Sequence, residues 1–305
     1  MGRQAAELFE TALIPARRDR AARLGFHDGA DFLHREAAAL IAERLEEITH
    51  EFKDAAVIGS GGGIYAEALA GRIGKDAITQ LEVSAARAEA AGVKPVAALD
   101  TLPLEEASLD LVVSGFELHW ANDPVGMLVQ MRRALRPDGL LIAGLFGGQT
   151  LHELRASLAE AEVETTGGLS PRIAPMGEVR DLGALLQRAG LAMPVADTER
   201  LTASYETPLH LMRELRAMGE TNILTGRRRV PLRRDTLARA CEIYAENFPA
   251  EHGRVAATFE LVFLTGWAPA ESQPKPLRPG SARARLADAL GTNEIGTGVS
   301  TRESD

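Results

Sequence analysis

Apolar residues of this chain form short continuous runs, separated by stretches in which they recur every three or four positions. Residues 55–58 are all apolar, and the run at 109–116 is nearly continuous. Such runs are typical of strands that are buried on both faces of a parallel sheet. Further strands are predicted at 76–83, 94–99, 140–146, 191–205 and 257–267, which makes seven in all.

Helical spacing marks the segments between these runs. A first helix is predicted over residues 4–24, broken near Pro15, and a second begins at Asp31. Alternating strands and helices indicate an α/β fold with a doubly wound parallel sheet, which binds ligands at the carboxyl ends of its strands. The remaining predictions are a proline and glycine turn at 136–139 and helices at 63–70, 127–135, 208–218 and 234–247.

Four glycines and a serine occupy positions 59–63, between the first strand and its helix. Glycine permits positive φ and lets the backbone approach a ligand closely, while free N–H groups at a helix start favour an anionic or polar group. A nucleotide-like cofactor fits this turn. The alternative is a glycine-rich surface turn without a ligand.

Glu82 ends the second predicted strand, about 20 residues after the glycines. A carboxylate at this point of an α/β unit lies beside the glycine turn and can accept hydrogen bonds from both ribose hydroxyls. Two cofactor classes share the arrangement. Residues 61–66 can be matched to the G-x-G-x-x-A pattern of dinucleotide sites, and Gly59, Gly61 and Gly63 to the G-x-G-x-G of methyltransferases.

The order of the motifs that follow Glu82 favours the methyltransferase class over the dinucleotide-binding class. The turn at 100–103, the strand at 108–113 and the segment LRPDG at 135–139 together resemble the class I S-adenosylmethionine-dependent methyltransferases. This resemblance covers residues 55–147. It implies that S-adenosylmethionine is bound by Gly59, Ser60, Gly61, Gly63, Glu82, Leu99, Asp100 and Ser114.

Motifs outside that core narrow the resemblance to one family. They are similar to the methyltransferase-fold assembly factor of respiratory complex I, credited with hydroxylating an arginine on a peripheral-arm subunit. A looser likeness is to the malonyl-acyl-carrier-protein methyltransferase of biotin synthesis. The motifs lie at 114–123, 146–155, 168–172, 181–183, 188–190, 218–222 and 279–282.

The family's fold adds an antiparallel pair of strands at the edge of a mostly parallel, Rossmann-like sheet of seven strands. It implies a helical N-terminal extension at 1–52 and a cofactor-binding domain at 53–268. Helical insertions at 148–180 and 207–247 are expected to lie over the cofactor site. From residue 269 onward, proline, glycine, serine and arginine dominate, which predicts a disordered tail at 269–305.

Two positions depart from the methyltransferase pattern. Val57 stands where an acidic residue usually precedes the first glycine, and Ala98 stands where the resemblance implies an acid for the adenine amino group. Each missing carboxylate weakens cofactor binding by about 1 to 3 kcal/mol unless another group replaces its hydrogen bonds.

Charge and composition exclude several partners. The formal charge of −9 argues against a nucleic-acid binder, and a single cysteine excludes an internal disulfide. The sequence has no apolar run long enough to span a membrane and no recognisable targeting signal, so we expect a cytoplasmic protein without a transmembrane segment.

No catalytic base is evident in the sequence. His119 and Trp120 follow the fourth predicted strand and are candidates for a substrate pocket, with Arg155 as a candidate for an acidic substrate. The alternative is that His119 caps the strand end, Trp120 packs in the core and Arg155 is a solvated helix residue. We see no histidine and carboxylate spacing of a metal triad, so the hydroxylation activity is implied by the resemblance alone.

Three functional classes stay open. The protein acts on a protein substrate, with a complex I peripheral-arm subunit implied by the resemblance, or it methylates a small molecule or malonyl-acyl-carrier protein. The third class is a non-catalytic assembly chaperone that keeps the cofactor as a structural ligand.

Overall fold

The computed structural model describes residues 7–273. Every element named here belongs to the described part of one compact unit, which ends at Ala270. Its helices are α1 (Ile14–Arg23), α2 (Phe32–Glu46), α3 (Ile64–Leu69), α4 (Ala85–Ala91), α5 (Pro124–Ala134), α6 (His152–Thr166), α7 (Val179–Arg188), α8 (Pro208–Met218) and α9 (Arg234–Asn247). Its strands are β1 (Ala55–Ile58), β2 (Ile78–Leu81), β3 (Leu109–Gly115), β4 (Leu135–Phe146), β5 (Ala192–Tyr205) and β6 (Val255–Trp267).

The strands form one sheet in the order β2-β1-β3-β4-β6-β5. The first four run parallel, whereas β6 is antiparallel to both β4 and β5. In the register of the sheet, Ala56 of β1 lies between Thr79 of β2 and Val112 of β3. The predicted α/β class, with a mostly parallel sheet and an antiparallel pair at one edge, is confirmed.

Apolar side chains cover both faces of the sheet. On one face, α2, α3, α6, α8 and α9 pack against residues such as Val57 and Leu111. On the other face, α5 and α7 pack against Ile58 and Val112. The continuous apolar runs of β1 and β3 are therefore explained by burial on two sides.

The predicted strand at 94–99 is wrong, so the sheet has six strands within residues 7–273 instead of seven. Pro95 has no N–H to donate, and Val96 makes one backbone hydrogen bond, to the carbonyl oxygen of Glu82 (2.8 Å). Ala97 and Ala98 are exposed and bury little apolar surface. The segment therefore passes the end of β2 as a loop.

Two predicted interruptions of secondary structure, near Pro15 and at 136–139, are absent from the structure. Pro15 lies in the first turn of α1, where its missing N–H breaks no helical hydrogen bond, so the helix starts there and is not broken. The predicted turn at 136–139 belongs to β4 instead. Its register with β3 shifts between Leu109 and Leu111, which accommodates the additional residues as a bulge.

Both predicted insertions are helical. The first, at 148–180, contains α6 and the start of α7, and the second, at 207–247, contains α8 and α9. Within residues 7–273, no helix has the length and apolar character that crossing a membrane requires. The predicted tail lies outside the described residues from 274 onward, as does the predicted start of the first helix at residues 4–6.

Candidate functional site

The glycine turn joins β1 to α3 at the carboxyl edge of the sheet. Gly59 has a φ of 76°, and its N–H donates to the carbonyl oxygen of Leu81 at the end of β2 (2.9 Å). A Cβ at this position would lie 2.6 Å from the carbonyl oxygen of Gly115 and closer still to the carboxylate of Glu117. Only glycine fits between these groups.

Glu82 follows β2 and is fully buried beside this turn. Its Oε1 accepts the backbone N–H groups of Val83 and Ser84 (both 3.0 Å), and its Oε2 accepts the hydroxyl of Ser60 (3.2 Å). Because the carboxyl ends of neighbouring parallel strands meet at one edge, β1 and β2 bring together the glycine turn and the acidic residue as predicted.

Arg18 of α1 covers Glu82. Its Nη1 lies 2.6 Å from Oε1 of Glu117, which follows β3, and 3.6 Å from Oε1 of Glu82. Burial by itself lowers the pKa of Arg18, but the two carboxylates outweigh burial and raise it. The guanidinium therefore stays charged, and α1 is fixed over the glycine turn by a buried ion-pair network.

Glu117 has a perturbed carboxyl group. Its burial raises the pKa from 4.5 to about 7, against the opposing effect of Arg18. The carboxylate also lies against Gly59, in the direction where that residue lacks a side chain. This acidic group therefore changes its charge near neutral pH, in contact with the glycine turn.

The pH dependence of stability should reveal this carboxyl. Between pH 4.5 and about 7 the unfolded chain is ionised at this position while the folded chain keeps the proton. The free energy of unfolding should therefore fall with rising pH across this window, by on the order of 3 kcal/mol, and then level off. Urea denaturation at a series of pH values in this range measures the free energy of unfolding. The decrease should be absent in Glu117→Gln and present in the exposed control Glu246→Gln. A constant difference between parent and Glu117→Gln would contradict the assignment.

A cavity of about 330 Å³, the loop cavity, lies beside Glu82 and under the start of α1. Leu99 and Asp100, which are among the residues predicted to bind the cofactor, line it, and so does Ala98. Asp100 accepts a long hydrogen bond (3.5 Å) from the hydroxyl of Thr11. The other lining residues include Ile14, Pro15, Val83, Trp120 and Met127.

Ser114 lies near the end of β3, where it pairs with Ile58 of β1. Its hydroxyl is buried without a hydrogen-bond partner in the described structure. A buried polar atom without a partner is uncommon and marks a place where a ligand or a water completes the hydrogen bonding.

His119 and Trp120 form a short 3₁₀ helix after β3 and converge on Glu220, which follows α8. The Trp120 Nε1–H donates to Oε2 of Glu220 (3.1 Å), and His119 Nε2 lies 3.4 Å from the same oxygen. Burial raises the pKa of Glu220, but His119, Arg18 and Arg87 outweigh burial and lower it. Glu220 is therefore an ionised carboxylate in a largely buried position.

Glu220 lines a second cavity of about 300 Å³, the insertion cavity, between the sheet and the two insertions. Its walls are mainly apolar, and both predicted insertions contribute to them. The lining residues include Trp120, Phe146, Leu154, Ile173, Met212 and Phe259, with Arg172, Arg216 and Asn222 as polar members.

Arg155 lies on α6 and is not among the residues that line this cavity. Its guanidinium donates to the carbonyl oxygens of Gly148 (3.3 Å) and Thr150 (3.1 Å). A helical side chain points toward the N-terminus of its helix, and here it meets the loop that precedes α6. The structure therefore does not bring Arg155 together with His119 and Trp120.

An arginine-lined groove of about 610 Å³, the arginine groove, adjoins the insertion cavity. It shares Arg172 and Arg216 with that cavity. The arginines of the groove are Arg17, Arg20, Arg172, Arg216, Arg227, Arg228 and Arg229.

Arg18, Glu117 and Glu220, which meet around the glycine turn and the insertion cavity, are not among the candidate residues predicted from the sequence. A signal for Arg18 was available, because Ile14, Arg18 and Ala21 fall on one face of α1 and an arginine on an apolar face calls for a buried partner. Within residues 7–273, no group of three or more histidine, cysteine, aspartate and glutamate side chains is arranged to hold a metal ion.

Comparison with known proteins agrees with this architecture. A family model for a methyltransferase domain matches residues 56–143. The YcgJ protein of Bacillus subtilis has a TM-score of 0.52 at 13% identity, covering 77% of this chain and 99% of that one. A protein of Bacillus halodurans that is assigned to the methyltransferases has a TM-score of 0.50 at 15% identity, with 76% and 99% covered. The fold is that of the class I methyltransferases.

Relatives of known family are similar over most of the chain. The mitochondrial arginine-hydroxylase NDUFAF5 of Danio rerio is 36% identical over 94% of this chain and 90% of that protein. The Homo sapiens protein of the same name is 38% identical over 94% and 85%. A malonyl-[acyl-carrier protein] O-methyltransferase of Laribacter hongkongensis is 33% identical over 86% and 91%. These matches confirm the predicted resemblance, and the chain belongs to the arginine-hydroxylase NDUFAF5 family of methyltransferase-fold proteins.

Proposed function

We propose that this protein binds S-adenosylmethionine at the glycine turn and acts on an arginine side chain of a protein substrate. The observation that carries the proposal is Glu220, an ionised carboxylate in the wall of the insertion cavity, next to His119 and Trp120. A carboxylate in such a place favours a cationic group, and guanidinium and carboxylate pair through two parallel hydrogen bonds.

The residues present fit the cofactor. The loop cavity, which Leu99 and Met127 help to line, would hold the adenine ring, and the Glu82 carboxylate would accept the ribose hydroxyls once it is uncovered. Bound S-adenosylmethionine supplies a methyl group activated by the sulfonium. The proposed cofactor residues are those of the prediction, namely Gly59, Ser60, Gly61, Gly63, Glu82, Leu99, Asp100 and Ser114.

The carboxylate of Glu117 compensates for one departure from the methyltransferase pattern. It lies beside Gly59, close to where Val57 offers no acidic group. Asp100, which lines the loop cavity together with Ala98, provides an acceptor near the second departure. The weakening expected from Val57 and Ala98 is therefore offset by carboxylates from other parts of the chain.

Arg18 controls access to the ribose position. Its guanidinium lies over Glu82 and leaves that carboxylate with no exposed surface. Cofactor binding thus requires Arg18 to withdraw from Glu82, and with it part of α1. We propose that the predicted extension at 1–52 forms part of the cofactor site of the domain at 53–268.

The insertion cavity suits the arginine of a protein substrate. Its apolar walls accept the aliphatic part of the side chain, and Glu220 takes the guanidinium. His119 and Trp120 orient the Glu220 carboxylate, because the ring nitrogens of both residues lie within hydrogen-bond distance of its Oε2. The substrate we propose is a peripheral-arm subunit of complex I, as the family resemblance implies. The cytoplasmic location stays a prediction, and the NDUFAF5 relatives named above are mitochondrial.

Removal of the Glu220 charge should abolish most of this recognition. Because a hydrogen bond to a charged group contributes about 1.5 to 3 kcal/mol, Glu220→Gln should lower affinity for the arginine substrate by about ten-fold or more. The measurement is mass spectrometry of peripheral-arm subunits from a gene-deletion strain that carries parent, Glu220→Gln or the exposed control Glu246→Gln. The expected mark on an arginine is one methyl group transferred from S-adenosylmethionine, or one oxygen if dioxygen and a two-electron reductant serve as co-substrates. It should appear with parent and control and decline with Glu220→Gln. Unmodified arginines with the parent protein would contradict the proposal.

The malonyl-acyl-carrier-protein methyltransferase is the second candidate, and the arginine groove is the observation that favours it, because such a carrier presents an acidic surface. Growth of the deletion strain separates the two functions. Loss of complex I activity in cells that grow without biotin supports the protein-arginine function. A biotin requirement with normal complex I would overturn it.

A further inference from the structure

The arginine groove concentrates positive charge in a protein whose formal charge is −9. Its arginines come from α1, from the segment after α6, from α8 and from the segment between α8 and α9. The remaining lining residues are uncharged: Thr221, Asn222, Val230 and Pro231. The folded chain thus brings together seven cations from four separate segments, with no carboxylate among the residues that line the groove.

Two carboxylates outside the groove, Glu162 and Glu10, form ion pairs with three of these arginines. Arg172 pairs with Glu162, and Arg227 and Arg229 both pair with Glu10. The other four make no ion pair within residues 7–273: Arg17, Arg20, Arg216 and Arg228. Like charges held close together repel one another, so an anionic ligand would relieve this repulsion on binding.

The groove is continuous with the insertion cavity. Arg172, Arg216, Thr221 and Asn222 line both spaces, and Glu220 adjoins them in the chain. A ligand that occupies both the groove and the insertion cavity would meet the arginines of the groove and also Glu220, a carboxylate that lines the insertion cavity. The matching pattern on the ligand is a cationic side chain flanked by acidic groups.

We infer that the arginine groove docks an acidic segment of the substrate polypeptide, adjacent to the arginine that enters the insertion cavity. This inference rests on the proposed function and adds a determinant of sequence specificity to it. Arginine forks bind carboxylates through paired hydrogen bonds, which suits aspartate and glutamate side chains. A malonyl group offers no cation to pair with Glu220, which lines the insertion cavity, so it matches this combination of charges less well.

A nucleic acid or long polyphosphate is disfavoured as the occupant. Outside the groove the surface carries the excess of carboxylates that gives the chain its net negative charge, and these repel an extended polyanion. A short acidic segment remains within the groove and avoids this repulsion.

Fluorescence anisotropy with a labelled glutamate-rich peptide that lacks arginine tests the groove separately from Glu220. We expect Arg20→Gln combined with Arg216→Gln to weaken its binding about tenfold, because both side chains are exposed and make no ion pair. The matched control combines Arg23→Gln and Arg213→Gln, which alter exposed arginines of the same two helices outside the groove. The control should bind as the parent does, and binding should weaken as salt concentration rises.

Three results would overturn the inference. The peptide does not bind the parent, the groove and control variants bind it equally, or purified malonyl-acyl-carrier protein binds through the groove arginines while the peptide does not. None of these results alters the arginine mass measurement with Glu220→Gln, so failure of the docking inference and failure of the proposed function are distinguishable. Thermal denaturation of each variant confirms that the exposed substitutions leave the fold intact.

Discussion

Gly59→Ala should destabilise the protein by about 2 to 5 kcal/mol and abolish binding of S-adenosylmethionine. The added methyl group would lie 2.6 Å from the carbonyl oxygen of Gly115 and against the Glu117 carboxylate. Residue 59 also has a φ of 76°, which costs an L-residue about 1 to 2 kcal/mol. Overpacking adds about 1 to 3 kcal/mol, because the carbonyl of Gly115 belongs to β3 and has no room to retreat.

Gly71→Ala is the matched control for this substitution. Gly71 has no positive φ, and a Cβ there meets no atom within 4 Å. For both variants, urea denaturation measures the free energy of unfolding, and isothermal titration measures the affinity for S-adenosylmethionine. If Gly59→Ala unfolds and binds like Gly71→Ala, residue 59 is not packed tightly against Gly115 and Glu117 and the turn does not support cofactor binding.

Arg18→Met should have the second large effect. The substitution removes the positive partner of two buried carboxylates, Glu117 and Glu82. Loss of one member of a buried ion pair typically costs about 3 to 5 kcal/mol. The free energy of unfolding without cofactor should therefore fall by about that amount, measured in urea at pH 8, where the Glu117 carboxyl is ionised.

The cofactor should stabilise Arg18→Met more than it stabilises the parent. With Arg18 absent, S-adenosylmethionine reaches Glu82 without displacing an ion pair, so the increase in melting temperature at saturating cofactor should be larger. Arg23→Met is the control, since Arg23 is an exposed residue of the same helix. Equal cofactor-induced shifts in Arg18→Met and the parent would mean that Arg18 does not compete with the ribose.

Local patterns were sufficient to predict most of the fold and the proximity of Glu82 to the glycine turn. The apolar run of β1, the glycines at 59–63 and the carboxylate of Glu82 lie within one βαβ unit, so their spacing along the chain determines their proximity in space. The edge pair β5 and β6 and the two insertions were implied by the family resemblance, and the sheet order confirms the strand pair.

Contacts between distant parts of the chain could not be predicted in this way. Arg18 and Glu117 are 99 residues apart, and Trp120 and Glu220 are 100 residues apart. No sequence spacing predicts either contact, because each depends on how whole helices pack over the edge of the sheet. The strand predicted at 94–99 failed for the opposite reason. Its local apolar character was present, but Pro95 prevented continuous hydrogen bonding with β2.

Helix α1 contributes to both binding sites at once. Arg18 on this helix contacts Glu82, while Arg17 and Arg20 of the same helix line the arginine groove. If the proposed withdrawal of Arg18 moves α1, it would shift Arg17 and Arg20 in the groove. An anion bound to those two arginines would in turn alter the free energy that the withdrawal requires. By thermodynamic linkage, cofactor and acidic peptide must alter each other's affinity by the same factor. Four titrations complete this thermodynamic cycle: the cofactor with and without the peptide, and the peptide with and without the cofactor. The coupling free energy that they give measures how strongly α1 connects the two sites.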